Sequence, residues 1–418
     1  MNSRERVLAA INHIQPDKIP IDLGSNPSSG ISAIAYDNLK KYLGMNHRTL
    51  VYDVVQQLAQ PDQEIIDHFG LDIIDIGRAF NTGENDWYEY TLANGGSAFY
   101  PKWYKPQKAA DGSWFTTDEN GKMLSRMPNG ATFFDQTFFP YFDEFPDDYS
   151  KLPEAMQKVM WVRHAHSPWD HAGEDNFWQQ LREKALFLKE NTDKALFLSA
   201  GSNLFEFGTM LRRMDNFFMD LLMNQDEVAR LVDVMMEMHL ATLEKVCNAV
   251  GDIVDVVRFG DDLGMTTGPF MDIETYRLLF KPHHKRLCDF VKKNSNMKIM
   301  LHSCGSIYQY IPDLIECGYD ILNPVQTNCL DMEPQKLKSE FGNEITFWGG
   351  GIDTASVLNN ATPEAVRKHV LNRCEIFSKG GGFVFNTVHN IMPDVPPENI
   401  IAMFNAVKEF NGEELIPK

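Results

Sequence analysis

The feature that most constrains the fold of this chain is an alternation of short apolar runs with helical patterns. The apolar runs have the length and composition of buried strands. Eight of them can be placed, at residues 18–24, 71–76, 194–199, 253–259, 297–301, 320–323, 345–348 and 382–386. Strands that alternate with helices in this number predict an α/β fold, the (β/α)8 TIM barrel, in which catalytic groups gather at the carboxyl ends of the strands.

Residues 78–150 interrupt this alternation. The segment is crowded with aromatic residues and is divided by the turn sequences Asn94-Gly95-Gly96 and Asn120-Gly121. Turns of this kind between aromatic runs predict β-hairpins. We therefore predict one barrel domain over residues 1–418, with an inserted β-rich segment at about 78–150. The aromatic residues are expected to form the core of a small sheet or, in part, to wall an apolar or planar substrate.

Composition narrows the classes of partner. Against 39 basic residues there are 58 acidic ones, and the formal charge of −19 disfavours nucleic acid and anionic membranes as partners. Apolar runs stay well short of the roughly 18 residues of a membrane helix, and the first residues lack the apolar segment of a signal peptide. Six cysteines are too few for a disulfide scaffold and suit a reducing compartment. We expect a cytoplasmic protein.

The strongest chemical signal lies where the run 297–301 ends, in Leu301-His302-Ser303-Cys304-Gly305. Side chains two residues apart on a strand point the same way, so the imidazole of His302 and the thiol of Cys304 are expected side by side. The pair is either a satisfied core pair or two ligands of a metal. If the loop of His389 opens onto the same mouth, three nitrogen or sulfur ligands converge there and leave a fourth position free, as in catalytic zinc sites. Ser306 is expected to cap a helix over 307–316.

Other polar residues follow the predicted strands. Of the adjacent pair Asp261-Asp262, at most one carboxylate can face the barrel centre, and the other is expected to cap a helix or meet a cation. Glu206 lies among aromatic residues, either in the first turn of a helix or as a ligand. We assign catalytic roles to Asp262, Glu206 and His389. Substrate-binding roles are assigned to Asp261, Asn323, Gln326 and Asn386.

Taken together, several of these stretches resemble the uroporphyrinogen decarboxylase superfamily. The match is specific in combination and runs from about Lys194 to the end of the chain. Its motifs are Phe259–Gly264, Pro282–Leu287, Leu301–Gly305, Ile311–Glu316, Asp320–Gln326, Trp348–Asp353 and Val388–Asn399. The fold that this resemblance implies is the barrel already indicated by the strand count.

The superfamily contains two chemistries. Its porphyrin decarboxylases carry an arginine-rich loop after the first strand, whereas the corresponding loop here, Gly24–Gly30, has no arginine, so porphyrin decarboxylation is disfavoured. The other branch comprises zinc methyltransferases that exchange a methyl group with a corrinoid protein. Their His-x-Cys motif matches His302 and Cys304, and His389 takes the place of their third ligand, a cysteine in the enzymes that methylate coenzyme M.

The resemblance therefore implies a methyltransferase that holds zinc through His302 and Cys304, with His389 or an acidic residue such as Glu206 or Asp262 completing the set. It would move a methyl group from a small O-methyl or N-methyl donor to the cobalt of a separate corrinoid protein. Three alternatives stay open: a decarboxylase of a smaller acid, a thiol methyltransferase and a binding protein without catalysis. A homodimer is compatible with each of them.

Overall fold

A sheet of seven parallel strands forms the centre of the computed structural model, which describes residues 1–46 and 48–416. In order across the sheet, the strands are β1 (Ile73–Asp75), β2 (Ala195–Gly201), β3 (Val256–Gly260), β4 (Lys298–His302), β5 (Ile321–Asn323), β6 (Thr346–Trp348) and β7 (Phe383–Val384). Each strand pairs in parallel with its neighbours. Parallel pairing requires a crossover after every strand, and helices supply most of these connections.

Residues 20–22 close this sheet into a barrel. On one side the amide of Phe385 donates to the carbonyl of Pro20, and the amide of Asp22 donates to the carbonyl of Phe385, both at 2.9 Å. On the other side the amide of Asp72 donates to the carbonyl of Ile21 at 2.9 Å. The extended segment therefore takes the place of the eighth strand between β7 and β1, and the predicted (β/α)8 barrel is confirmed.

Helices surround the barrel, and among the described residues none is long and apolar enough to cross a membrane. Their bounds are Ser3–Ile11, Ala33–Leu43, Gln63–Phe69, Leu152–Met156, Met160–Arg163, Phe177–Asn191, Phe205–Arg212, Met214–Met223, Gln225–Val250, Ile273–Leu279, Lys281–Asn294, Ile311–Cys317, Pro334–Phe341, Pro363–Phe377 and Pro397–Phe410. The first helix packs Val7, Ala10 and Ile11 against the buried barrel residues Phe197 and Trp348.

The barrel interior changes character between two layers. A buried apolar cluster joins Ile73, Phe197, Val256, Met300, Ile321, Trp348 and Val384 from the seven strands. Side chains two residues further along a strand face the same way. On five strands those next positions hold Asp75, Ser199, Arg258, His302 and Asn323. A polar layer thus lies directly above the apolar one, at the carboxyl ends of the strands.

The aromatic-rich insertion forms two small antiparallel sheets. Trp87–Thr91 pairs with Ser97–Pro101, and a second sheet has the order Asp135–Gln136, Met123–Met127, Trp114–Thr117, Gln107–Lys108. Shorter strands elsewhere are Ile31–Ser32, Val51–Asp53, Leu58–Ala59, Gly264–Met265 and Gly268–Pro269. Tyr100 and Tyr104 are buried with the main core, so part of the aromatic content is sheet core, as one of the two expectations held.

One helix boundary differs from the prediction. Ser306 does not cap a helix: its amide donates to the carbonyl of Met265 at 2.9 Å, and the α-helix starts only at Ile311. A contact distant in sequence thus overrides the local cap signal. The helical pattern from 204 to 223 is broken at Arg213, whose φ of 68° separates two helices.

Removing the Asp72 carboxylate should strongly destabilise the fold. Asp72 accepts the Ile21 amide at 2.9 Å and the Arg6 guanidinium at 2.7 Å, and both side chains of this ion pair are buried. Asp72→Ala should lower the free energy of unfolding by about 3 kcal/mol, because it breaks a buried ion pair, leaving Asp17 as the charged partner of Arg6, and removes the acceptor of the Ile21 amide in the closing segment. Urea unfolding measures this, with the exposed Asp252→Ala as a control whose midpoint should not move. Equal midpoints for the two variants would contradict this account of closure.

Candidate active site

The structure brings His302, Cys304 and His389 together at the mouth of the barrel. One potential ligand atom from each lies within 4.8 Å of the others, and His302 Nε2 is 3.5 Å from Cys304 Sγ. The two imidazole rings have centroids 5.5 Å apart. His302 ends β4, Cys304 begins the following loop, and His389 lies in the loop after β7. The two loops therefore open onto one mouth, which was the condition for a three-ligand centre.

Asn323 orients the ring of His302. Its amide nitrogen donates to the carbonyl of Trp348 at 3.0 Å, and its Oδ1 lies 2.8 Å from His302 Nδ1. An amide oxygen can only accept, so this network assigns the ring proton to Nδ1 and leaves a lone pair on Nε2. Nε2 is the atom that faces Cys304. Asn323 therefore orients His302, and the substrate-binding role predicted for it stays a prediction.

Asp262 and Gln326 hold the loop that carries Cys304. The amide of Cys304 donates to Asp262 Oδ1 at 2.7 Å, and the amide of Gly305 donates to Gln326 Oε1 at 2.8 Å. Gly305 has a φ of 88°, and a Cβ there would lie 2.2 Å from the carbonyl carbon of Gly264, so only glycine fits. The contact explains the glycine of the His-x-Cys-Gly sequence. Gln326 is thus a loop anchor, and its predicted contact with substrate stays a prediction.

The adjacent carboxylates point to different sides, as expected. Asp261 is buried and accepts the amides of Phe205 at 3.1 Å and Glu206 at 2.9 Å, and His284 Nε2 lies 3.0 Å from it. These contacts cap the helix Phe205–Arg212, and the substrate-binding role predicted for Asp261 stays a prediction. Asp262 Oδ1 is 3.5 Å from His302 Nε2, so this carboxylate lies beside the cluster.

Glu206 lies in the first turn of the helix that Asp261 caps. Burial, followed by the charges of Asp262 and Asp261, raises the pKa of Glu206 to about 8. The side-chain amide of Asn203 donates to Glu206 Oε2. At neutral pH this carboxyl holds a proton that it can transfer.

Arg258 is the functional residue that the sequence prediction missed. It is the polar-layer side chain of β3; its Nη2 donates to Ser28 Oγ at 2.8 Å, and the charges of Glu206, Asp262 and Cys304 act on it. An arginine within the otherwise apolar stretch of a barrel strand was the available signal, because a strand interior accepts a cation only beside acidic groups. Arg258 is the countercharge of the acidic cluster.

The ionisation of the three clustered groups follows from their burial. Burial and the nearby Arg258 lower the pKa of His302 to about 3, and burial and His302 lower the pKa of His389 to about 3. Burial and the neighbouring Asp262 and Glu206 raise the pKa of the Cys304 thiol. At neutral pH both imidazoles are therefore uncharged and the thiol is protonated.

Some buried polar atoms below the mouth have no hydrogen-bond partner among the described residues. Within residues 1–46 and 48–416, Asn386 Oδ1, Asp75 Oδ2 and Tyr52 Oη are buried without a hydrogen-bond partner. Burial raises the pKa of Asp75 to about 8. Asn386 donates to the carbonyl of Asp22 at 3.3 Å, so only its oxygen is free toward the interior. The substrate-binding role of Asn386 stays a prediction that this free acceptor favours.

The cluster has the chemistry of a zinc site. Two uncharged imidazoles, a thiol and a carboxylate are the ligand types zinc takes in proteins, and tetrahedral ligands lie roughly 3.3–3.8 Å apart. The separation of 3.5 Å between His302 Nε2 and both Cys304 Sγ and Asp262 Oδ1 falls in this range. The hydrogen bond from His302 Nδ1 to Asn323 is the outer contact that zinc-binding histidines require. The residues therefore fit the ion.

Comparison with known proteins places the chain in a family. A sequence model described as uroporphyrinogen decarboxylase (URO-D) matches residues 192–410, about half of the chain, and the chain belongs to that family.

Individual relatives match this chain over short stretches of sequence, whereas a solved structure matches its fold over nearly the whole length. A stretch of 103 residues is 31% identical to uroporphyrinogen decarboxylase from Methylococcus capsulatus, covering 25% of this chain and 27% of that one. A stretch of 76 residues is 46% identical to the Pseudoalteromonas translucida enzyme, covering 18% and 21%. The matched segments thus span about a quarter of these relatives. A solved methyltransferase from Methanosarcina mazei shares the fold, with a TM-score of 0.58 and 16% identity over 98% of this chain and 99% of that one.

Replacing Asn323 should weaken metal binding without abolishing it. Asn323→Leu removes the acceptor that fixes the His302 tautomer, and the loss of such a contact lowers metal affinity about 10–100-fold. Zinc affinity, measured by competition with a chromophoric chelator, checks this. The exposed variant Asn294→Leu should bind zinc as the unmodified protein does. Unchanged affinity in Asn323→Leu would rule out the orienting role.

Proposed function

We propose that this protein is a methyltransferase that moves a methyl group from a small O-methyl or N-methyl compound to the cobalt of a separate corrinoid protein. The observation that carries the proposal is the convergence of His302, Cys304 and His389 beside Asp262. The fold shared with a solved methyltransferase is consistent with it. The arginine-free loop 24–30 argues against a porphyrin substrate, because Ser25, Asn26, Ser28 and Ser29 are buried and bond within the loop or to neighbouring residues.

In this proposal His302, Cys304 and His389 hold zinc, and Asp262 is the fourth protein group in reach. When bound there, zinc would act as a Lewis acid on the heteroatom that carries the methyl group. Asn323 fixes the ligand tautomer, and the hydrogen bond from the Cys304 amide to Asp262 keeps thiol and carboxylate together.

Glu206 supplies the proton that the demethylated product needs. When the bond between methyl and heteroatom breaks, its electron pair leaves with the heteroatom, which then takes a proton. The raised pKa of Glu206, about 8, keeps the carboxyl protonated at neutral pH. Arg258 balances the carboxylate that remains. The apolar layer under the mouth excludes water from below.

A decarboxylase of a small carboxylic acid is the second candidate. Arg258 in the polar layer favours it, because a buried guanidinium can hold a carboxylate. The two relatives described above are decarboxylases by name. Such an enzyme would not require the metal, so zinc content separates the two candidates.

Purified protein should contain about one zinc ion per chain. Cys304→Ser and His389→Ala should each lose most of it, because each removes a ligand from a set that zinc uses in full. Elemental analysis of dialysed protein measures the content. Cys329→Ser is the matched control, since Cys329 is a buried cysteine outside the cluster and its loss should leave the zinc in place. Protein without zinc would favour the decarboxylase.

Zinc affinity should rise with pH through the neutral range. The pKa of the Cys304 thiol is raised, so the thiol must lose a proton to bind, whereas the two histidines, with pKa values of about 3, are already uncharged. The apparent affinity should increase about tenfold per pH unit between pH 6 and 8, with about one proton released per zinc. Calorimetry in buffers of different ionisation enthalpy counts that proton. An affinity that does not change with pH would mean that the thiol is not a ligand.

Methyl transfer should depend on the proton of Glu206. With reduced cobalamin as acceptor and a panel of methoxylated compounds and methylamines as donors, methylcobalt absorbance reports transfer. Glu206→Gln should slow it about 100-fold, since general acid catalysis contributes about 10²–10⁴-fold, while zinc content stays normal. The exposed variant Glu244→Gln should transfer at the normal rate. Full activity in Glu206→Gln would remove Glu206 from the mechanism.

A further inference from the structure

His389 is held in place differently from His302, the other histidine of the cluster. Asn323 orients the ring of His302, whereas within residues 1–46 and 48–416 neither ring nitrogen of His389 has a hydrogen-bond partner. The backbone of His389 has a φ of 64°, in the left-handed region that residues other than glycine rarely adopt. Such a conformation persists only where the surrounding structure holds it. The position of the His389 ring therefore depends on the contacts of its neighbours in the loop.

The residue after His389 makes contacts of this kind. Asn390 is buried, and its Oδ1 accepts the amide of Gly30 at 2.7 Å. Its Nδ2 donates to the carbonyl of Pro27 at 2.9 Å and to Gln56 Oε1 at 3.0 Å. Both amide protons and the amide oxygen are thus used. One side chain thereby joins the loop of His389 to the loop that carries Pro27 and Gly30 and to the segment that carries Gln56.

Asp53 sets the direction of these hydrogen bonds. Gln56 Nε2 donates to Asp53 Oδ2 at 2.9 Å and to the carbonyl of Pro27 at 3.1 Å. The other oxygen of Asp53 accepts the amides of Val55 and Gln56, both at 2.9 Å. A carboxylate only accepts, so the amide nitrogen of Gln56 faces Asp53 and its Oε1 faces Asn390. Reversing either side-chain amide would set like groups against each other.

The residues before His389 are anchored as well. The amide of Val388 donates to the carbonyl of Ile352 at 2.9 Å, and Thr354 Oγ1 donates to the carbonyl of Val388 at 2.5 Å. The hydroxyl of Thr387 donates to the carbonyl of His389. His389 thus lies between two anchored neighbours. The anchor that follows it consists of side chains, so a substitution can reverse its polarity without a change in size.

We propose that Gln56 and Asn390 are positioning residues that hold His389 at the place of the third metal ligand. The inference rests on the proposed zinc centre and adds the residues that complete it. His302 and Cys304 come from one strand and the loop directly after it, so their mutual position does not depend on this network. Loss of the network should therefore remove one ligand and leave the other two.

The test uses cobalt(II) as a spectroscopic substitute for zinc in the full-length protein. Asn390→Asp keeps the size of the side chain but sets an oxygen against the carbonyl of Pro27 and against Gln56 Oε1. We expect its affinity for either metal to fall about 10–100-fold, the usual result of losing an outer contact of a ligand. The visible d–d bands should approach those of His389→Ala. The ultraviolet charge-transfer band of the bond between cobalt and Cys304 should remain.

A second variant tests whether the two side-chain amides act as a unit. Gln56→Leu should weaken metal binding by a similar factor, and the double variant with Asn390→Asp should bind about as weakly as either single variant, because members of one network are not additive. The matched control is Asn405→Asp, since Asn405 accepts the amide of Ile416 at 2.7 Å and lies outside the cluster. It should bind metal as the unmodified protein does. Circular dichroism checks folding, and Gln56→Leu decides the matter if Asn390→Asp unfolds.

The outcomes separate this inference from the proposed function. Unchanged affinity and an unchanged cobalt spectrum in Asn390→Asp and Gln56→Leu would overturn the positioning role and leave the zinc centre as proposed. Loss of both absorptions in a folded variant would contradict a role specific to His389. Unmodified protein that binds neither metal would overturn the proposed methyl transfer, and the positioning of a ligand with it.

Discussion

The site depends on the switch from an apolar to a polar layer inside the barrel. Phe197, Val256 and Met300 fill the interior below, and the next inward positions on the same strands are Ser199, Arg258 and His302. The pleat of a strand imposes this spacing, so the barrel can be dry and well packed at one level and chemically reactive two residues higher. His302 is buried, and its Nε2 faces the mouth of the barrel. Asn323 on the neighbouring strand fixes this orientation, because it accepts the hydrogen bond from Nδ1 of His302.

Loops at the mouth hold their geometry through contacts made between units of the barrel. Asp261, after β3, caps the helix that follows β2, and Asp262 holds the amide of Cys304 after β4. Gln326, after β5, accepts the amide of Gly305. Each loop is thus fixed by the unit next to it. Such mutual support keeps reactive groups within the narrow tolerance that a metal centre requires.

The barrel and the pair formed by His302 and Cys304 could be predicted from the sequence, because both depend on short-range periodicity. Apolar runs predict strands, and a spacing of two residues predicts that His302 and Cys304 lie on the same side of the strand. The features that the sequence did not predict depend on tertiary contacts. Ser306 was predicted to cap a helix, but its amide donates a hydrogen bond to the carbonyl of Met265. The hydrogen bond between Asn323 and His302 joins two neighbouring strands, and the sequence of neither strand indicates it.

Arg258 was missed for a related reason. A single arginine did not prevent the stretch 253–259 from being assigned as a strand, yet the role of Arg258 depends on acidic neighbours from the loops after β3 and β4 and from the helix Phe205–Arg212. The packing of the insertion against that helix likewise joins segments distant in sequence, and no local pattern encodes it. Chemistry that a strand carries alone can be predicted, whereas chemistry assembled from several units requires the fold.

The charges around the cluster bear on the proposed binding of zinc. Glu206, Asp262 and Cys304 surround one guanidinium, that of Arg258. Burial and carboxylate repulsion raise the pKa of Glu206 to about 8 and raise the pKa of the Cys304 thiol as well, so at neutral pH both groups hold protons and add no negative charge to that of Asp262. A divalent ion between His302, Cys304 and His389 would take over that task from the thiol proton, because it stabilises the thiolate directly. Arg258 alone cannot, since its side chain already lies among three acidic groups. In the proposed function, the same crowding of acidic groups would therefore favour the binding of a divalent cation.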